Sequence, residues 1–178
     1  MAKLNVSYLG INYGYAAEAM RFMTGQPTVQ YVSDKLNPDD LWDIVQDGLK
    51  NDYNMGAVCS VSHFNMISGH VYGLVGAVTL KGGAHDGMRM IKTRNPWGIN
   101  KYDGPWSEKS SDWTPEYRKQ ADDYGTDNIG DIWLPLDQWN YDYSYLSVNL
   151  YRDDWKVTTV EGADFKYDVL WGDLNTWL

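Results

Sequence analysis

Leu41, Ile44, Val45 and Leu49 recur at the spacing of one helical face, so the segment carrying them predicts an amphipathic helix packed inward. Its start is marked too: Asn37 is placed to cap, Pro38 takes the first helical position, and Asp39 and Asp40 face the positive end of the helix dipole. A shorter helix is expected from Tyr15 to Thr24, stopped by Gly25 and Pro27, and another starts at Thr114-Pro115-Glu116 and ends by Gly125. Between these lie apolar runs of strand length. Gly56–Ser62 is a compact strand candidate, and 71–80 and 88–94 are strands joined by Lys81-Gly82-Gly83-Ala84-His85-Asp86-Gly87. Ile129–Leu134 and Ser144–Tyr151 are further strands, with a helical turn at Pro135–Trp139 between them. Strands outnumber helices and follow one another closely, which predicts an α+β fold with a twisted antiparallel sheet or half-barrel and helices outside it.

The pattern changes near residue 151. Tyr151-Arg152-Asp153-Asp154 is polar, strand candidates follow at 155–160 and 165–171, and the chain opens on a sheet-like Leu4–Tyr8. The expected organisation is one unit over 1–150, followed over 151–178 by a linker and the opening strands of a following domain, so that the chain reads as a fragment.

Charge and composition narrow the function classes. The 178 residues carry 24 acidic and 15 basic side chains, a net charge of −9, which argues against nucleic acid and against anionic membrane surfaces. No apolar run reaches membrane-spanning length, so no transmembrane segment is expected. The single cysteine, Cys59, excludes an intramolecular disulfide framework and fits a reducing, cytoplasmic setting. Nine Trp and 14 Tyr against three Phe favour a β-rich core with aromatic cross-strand pairs over a ligand-stacking surface.

The candidate chemistry lies in two short blocks. Gly69-His70-Val71-Tyr72 places an imidazole at the head of one strand, and Arg94-Asn95-Pro96-Trp97-Gly98 places an amide at the end of the next. Imidazole is the side chain whose proton affinity suits a general base near neutral pH, and an asparagine oxygen can fix its tautomer. These are the residue types of half a thiol-protease site. Cys59, in an apolar strand, reads as a small buried residue rather than a nucleophile. His63 and His85 stand in no motif and at no metal-ligand spacing, and are expected as surface or loop residues.

These blocks, in order with Asn37-Pro38-Asp39-Asp40-Leu41-Trp42, Gly56-Ala57-Val58-Cys59-Ser60-Val61, Asp103-Gly104-Pro105-Trp106-Ser107 and Gly130-Asp131-Ile132-Trp133-Leu134, resemble the calpain-like cysteine proteases, a branch of the papain-like fold. The likeness is to the second, β-rich half of the protease core and runs over roughly residues 15–150, the ordered motifs being more specific together than any alone. It implies that His70 and Asn95 are catalytic, that Trp97 lies beside the active site, and that the nucleophilic cysteine sits in a preceding subdomain, the implied partner of this one.

The implied reaction is hydrolysis of protein or peptide substrates through a Cys-His-Asn mechanism that needs no cofactor for its chemistry, with this chain inactive alone. Substrate would lie as an extended peptide in the cleft against the missing subdomain, which leaves an unpartnered aromatic surface here. The resemblance also implies a calcium ion in this half. Glu108 and Asp131 fall on acidic positions of that pattern, whereas Lys101 and Ile129 occupy two others, where an ammonium opposes binding and an isoleucine offers only its carbonyl; Asp103 stands nearby. The alternative is a non-catalytic calpain-like binding or regulatory module, its nucleophile replaced upstream.

Overall fold

The computed structural model describes residues 14–99, 101–122, 130–152 and 154. Helix α1 is Ala16–Thr24, closed by Gly25 in the left-handed region at φ 68°. Helix α2 is Pro38–Lys50, and the expected cap is present: the Asn37 side chain accepts from the Asp40 amide at 2.9 Å. Leu41 and Val45 on its inward face are fully buried. Helix α3, Pro115–Gln120, is capped by the Thr114 hydroxyl, and α4 is Leu136–Asp142. The expected stop at Gly125 lies outside the described residues, as do Leu4–Tyr8, Ile129 and the strand candidates beyond 154.

The strands are β1 (Thr28–Val32), β2 (Asn54–Cys59), β3 (Val71–Thr79), β4 (Arg89–Arg94), β5 (Asp131–Pro135) and β6 (Tyr143–Asn149). They form one six-stranded sheet in the order β1-β6-β2-β3-β4-β5, antiparallel at every step. The architecture is α+β, as the pattern predicts. Three details differ from the expectation. β1 lies where the pattern assigns no element; among the described residues it pairs with β6 alone and stands at the end of the strand order. β2 ends at Cys59 rather than Ser62, because the Ser60 amide and hydroxyl both turn away to the Asp142 carbonyl, at 2.8 and 3.0 Å. The turn expected at Pro135–Trp139 extends to Asp142 as α4, so β6 starts at Tyr143.

Strand alternation divides the core. In β4 and β5, Ile91 faces Leu134 and Thr93 faces Ile132, while Lys92 faces Trp133 on the other side of the sheet. Ile91, Ile132 and Leu134 join Leu41, Val45, Tyr72, Trp139 and Leu146 in the main core, under α2 and α4. Met90 and Trp133 join Leu80, Trp106, Trp113 and Tyr117 in a smaller core, closed by the segment that includes α3. Among the described residues, Trp106, Trp113, Trp133, Trp139, Tyr72, Tyr102, Tyr117 and Tyr143 are buried in the core.

Candidate active site

His70 heads β3, and Asn95 is the first residue past β4, its pairing partner. The ladder aligns Gly73 with Arg94 and Leu74 with Thr93; extended outward, the same register sets Tyr72 against Asn95 and His70 against Trp97. Opposed residues of an antiparallel pair share a face, and so do alternate residues of one strand, so all four side chains converge. Gly69 delivers the histidine: at φ 72° it takes a conformation that side chains disfavour, while its amide donates to the Cys59 carbonyl at 2.8 Å. The Cys59 amide in turn donates to the His70 carbonyl at 2.9 Å, which fixes the histidine backbone to β2.

His70 Nε2 lies 3.0 Å from Asn95 Oδ1. The same oxygen accepts the Trp97 amide at 3.1 Å. A backbone N–H can only donate, so the atom facing it is the amide oxygen, and Nε2 of His70 must then carry the proton it shares. Nδ1 is left as the basic nitrogen. Around the ring stand Trp97, with centroids 4.5 Å apart, and Tyr72, edge-on at 5.0 Å. Asn95 is buried, whereas Trp97 is 62% exposed beside it. The turn that carries them closes with the Gly98 amide on the Asn95 carbonyl at 3.0 Å, with Pro96 at the position where its fixed φ is preformed.

Asn95 is anchored from β5 as well. Its amide donates to the Gly130 carbonyl at 2.9 Å, and Gly130 sits at φ 93° with no room for a side chain: a Cβ there would lie 2.8 Å from the Asn95 carbonyl oxygen. Gly130→Ala is therefore expected to cost about 1–3 kcal/mol and to displace Asn95, read as a lowered urea midpoint with a weakened His70–Asn95 hydrogen bond. Nothing in the sequence alone marks this glycine as a support of the asparagine.

Asp131, expected as a calcium ligand, is the acid of an ion-pair cluster. Arg94 grips it with two hydrogen bonds, at 2.6 and 3.0 Å, and Lys92 Nζ lies 3.0 Å away. The register explains this, since Arg94 and Asp131 are direct cross-strand partners. Burial pushes the Asp131 carboxyl up, but the hydrogen bonds and charges of Arg94 and Lys92 outweigh it and hold it below its usual 3.8. A depressed carboxyl stabilises the fold above its unfolded value and loses that contribution as pH falls through its folded value. The urea midpoint of the wild type should thus exceed that of Asp131→Asn near neutrality, and the gap should close below about pH 4.

Glu108 is exposed, and its carbonyl accepts from Arg118. Asp103 accepts from the Asn65 side chain at 2.9 Å. Among the described residues no group of three or more His, Cys, Asp or Glu side chains converges to hold a metal. Two cations, Lys92 and Arg94, stand against Asp131.

Cys59 is fully buried, its thiol 3.4 Å from the Val61 carbonyl, and burial raises its pKa. A nucleophilic cysteine needs the opposite environment. The two remaining histidines lie in loops and are partly exposed, as expected, but each also has a partner. His63 Nε2 lies 3.0 Å from the buried Asp142, and the His85 ring packs edge-on against Trp106 at 4.9 Å. Both approach partners far away in sequence, which no local pattern could reveal. A cleft of about 490 Å³ opens between Pro38, His85, Met88 and Leu136, at the end of the β3–β4 hairpin remote from His70. Among the described residues no helix is long and apolar enough to cross a membrane.

The family model described as calpain family cysteine protease matches residues 1–149. Similar proteins include the calpain-1 catalytic subunit of Mus musculus, 30% identical over 188 aligned residues, covering 91% of this chain and 25% of the relative. Calpain-9 of Rattus norvegicus is 28% identical, covering 91% of this chain and 26% of its own length. The calpain-1 catalytic subunit of Homo sapiens is 28% identical, covering 89% and 24%. The chain thus spans about a quarter of the length of the curated relatives it matches.

Proposed function

Since the chain belongs to the calpain family of cysteine proteases, we propose that it supplies the His70–Asn95 half of a Cys-His-Asn endopeptidase site. The observation that carries this reading is the Asn95 side-chain oxygen shared by His70 Nε2 and the Trp97 amide, an arrangement that favours the proton on Nε2 and leaves Nδ1 as base. In the assembled enzyme Nδ1 takes the proton of a cysteine thiol supplied by a preceding subdomain. The thiolate adds to a peptide carbonyl, and the imidazolium returns the proton to the leaving amine. Water, deprotonated by the same nitrogen, then cleaves the thioester. Asn95 keeps the ring in plane throughout, and Trp97 shields the His70–Asn95 bond from solvent.

Cys59 takes no part, because its thiol is buried and bonded elsewhere. Protein and peptide chains are the substrates of this proposal, its setting is the cytoplasm, and the chain without its partner subdomain is inactive. No calcium step enters. The exposed side chains of Trp97 and Ile99 belong to the cleft wall that the partner subdomain completes.

The reading is tested in this chain by the ring ¹⁵N signals of His70. The wild type should show Nε2 protonated and Nδ1 bare, and Asn95→Ala should replace that signature with a mixture of tautomers. A His70 protonated on Nδ1, or one indifferent to Asn95→Ala, contradicts the half-site.

A further inference from the structure

The backbone that delivers His70 is an excursion between β2 and β3, from Ser60 to Gly69, and its inner support is a buried acid. Asp142, the last residue of α4, has a side chain only 1% exposed. Its Oδ1 accepts from Gln138 at 2.8 Å and lies 3.0 Å from His63 Nε2, while Oδ2 is buried without a hydrogen-bond partner among the described residues. A carboxylate so placed is unfavourable unless a donor or a cation stands against it. Gln138 is such a donor from within α4, and His63 is the group that faces the carboxylate from the loop. It meets Asp142 at ion-pair distance, without the alignment of a full hydrogen bond.

The loop needs such a hold. Phe64 and Asn65, directly after His63, both lie in the left-handed region at φ 49° and 61°, a backbone path that persists only where its surroundings enforce it. Asp142 grips the loop twice. Its carbonyl takes the Ser60 amide and hydroxyl, and its carboxylate faces His63. At the far end the Ile67 amide donates to the Tyr72 hydroxyl at 3.2 Å, and Gly69 is bonded to Cys59. A second path runs through the rings. Tyr143, next to Asp142, packs edge-on against Tyr72 at 5.8 Å, and Tyr72 packs against His70 at 5.0 Å.

We propose that His63 and Asp142 form a positioning pair that fixes the Ser60–Gly69 loop and thereby seats the His70 ring on Asn95. The proposal rests on the reading of His70 and Asn95 as a catalytic half-site. Neither His63 nor Asp142 touches the reacting atoms; both act through the loop.

The test follows the exchange with water of the His70 Nε2 proton in the 178-residue chain. His63→Ala should speed that exchange about tenfold or more, by lowering the cost of local opening, while amides of the β2–β3 ladder such as Leu74, paired with Met55, keep their protection. His63→Gln, whose amide can donate to Asp142, should restore most of the slow exchange. Asp142→Asn keeps the shape and removes the carboxylate, and should match His63→Ala; it carries the test if His63→Ala does not fold. Wild-type exchange in His63→Ala or Asp142→Asn overturns the proposal, as does a loss of protection spread evenly over the ladder. A wild-type chain whose Nε2 proton ignores Asn95→Ala instead brings down the half-site reading, whatever the His63 variants do.

Discussion

Replacing His70 with alanine in the assembled protease should lower kcat by on the order of 10³-fold or more and leave KM within a few-fold. Its Nδ1 is the proposed base for the thiol and the proposed acid for the leaving amine, so both chemical steps lose their proton carrier together. Substrate binding relies on the cleft walls, not on the ring, and a loss confined to kcat separates this role from a structural one. Glutamine at position 70 can fill part of the space but cannot shuttle a proton near neutral pH, so His70→Gln should be about as impaired as His70→Ala. The assay is steady-state hydrolysis of a fluorogenic peptide by wild type and both variants. A His70→Ala enzyme retaining more than about a tenth of wild-type kcat is incompatible with general acid–base catalysis by this residue.

The largest loss of stability is expected at Trp139. Its side chain is fully buried in the main core and stacks on Tyr143, with ring centroids 4.7 Å apart and an interplanar angle of 18°. Trp139→Ala removes that stack and leaves a cavity between α4 and the sheet, at a cost of about 3–5 kcal/mol. That is a large share of the roughly 5–15 kcal/mol that holds a domain folded. Trp139→Phe should cost markedly less, because the indole N–H is buried without a hydrogen-bond partner among the described residues and its removal offsets part of the lost area. Urea unfolding of the two variants gives the comparison. The site should feel the change too: Tyr143 shares a hydrogen bond of 2.9 Å with Thr93 and packs on Tyr72, the ring beneath His70.

What the sequence makes legible is what local chemistry determines. The Asn37 cap and the apolar face of α2 rest on residues a few positions apart, and both are present as expected. The hairpin of β3 and β4 follows from two apolar runs and a loop rich in glycine, and it brings His70 to Asn95. Features set by pairing across the chain are less visible. β1 is a strand only because β6 lies beside it, and its own five residues carry a weak pattern. The ion pairs of Asp131 are of the same kind, since they follow from the register that sets it against Arg94, with Lys92 close by. His63 looks like an ordinary loop histidine until α4 places Asp142 under it. The role of Gly130 is hidden likewise, because the atom its missing side chain makes room for belongs to Asn95.

The most direct test of the proposal that this chain is half of a cysteine protease site is to join it to the cysteine-bearing subdomain of its parent and measure peptide hydrolysis. The joined protein should cleave peptides, lose that activity on alkylation of the subdomain's cysteine, and lose most of it with Asn95→Ala, while the chain alone stays inactive. A folded joined protein that leaves peptides intact, or a parent with serine, glycine or lysine in place of the nucleophile, would contradict the proposal and make this fold a binding module.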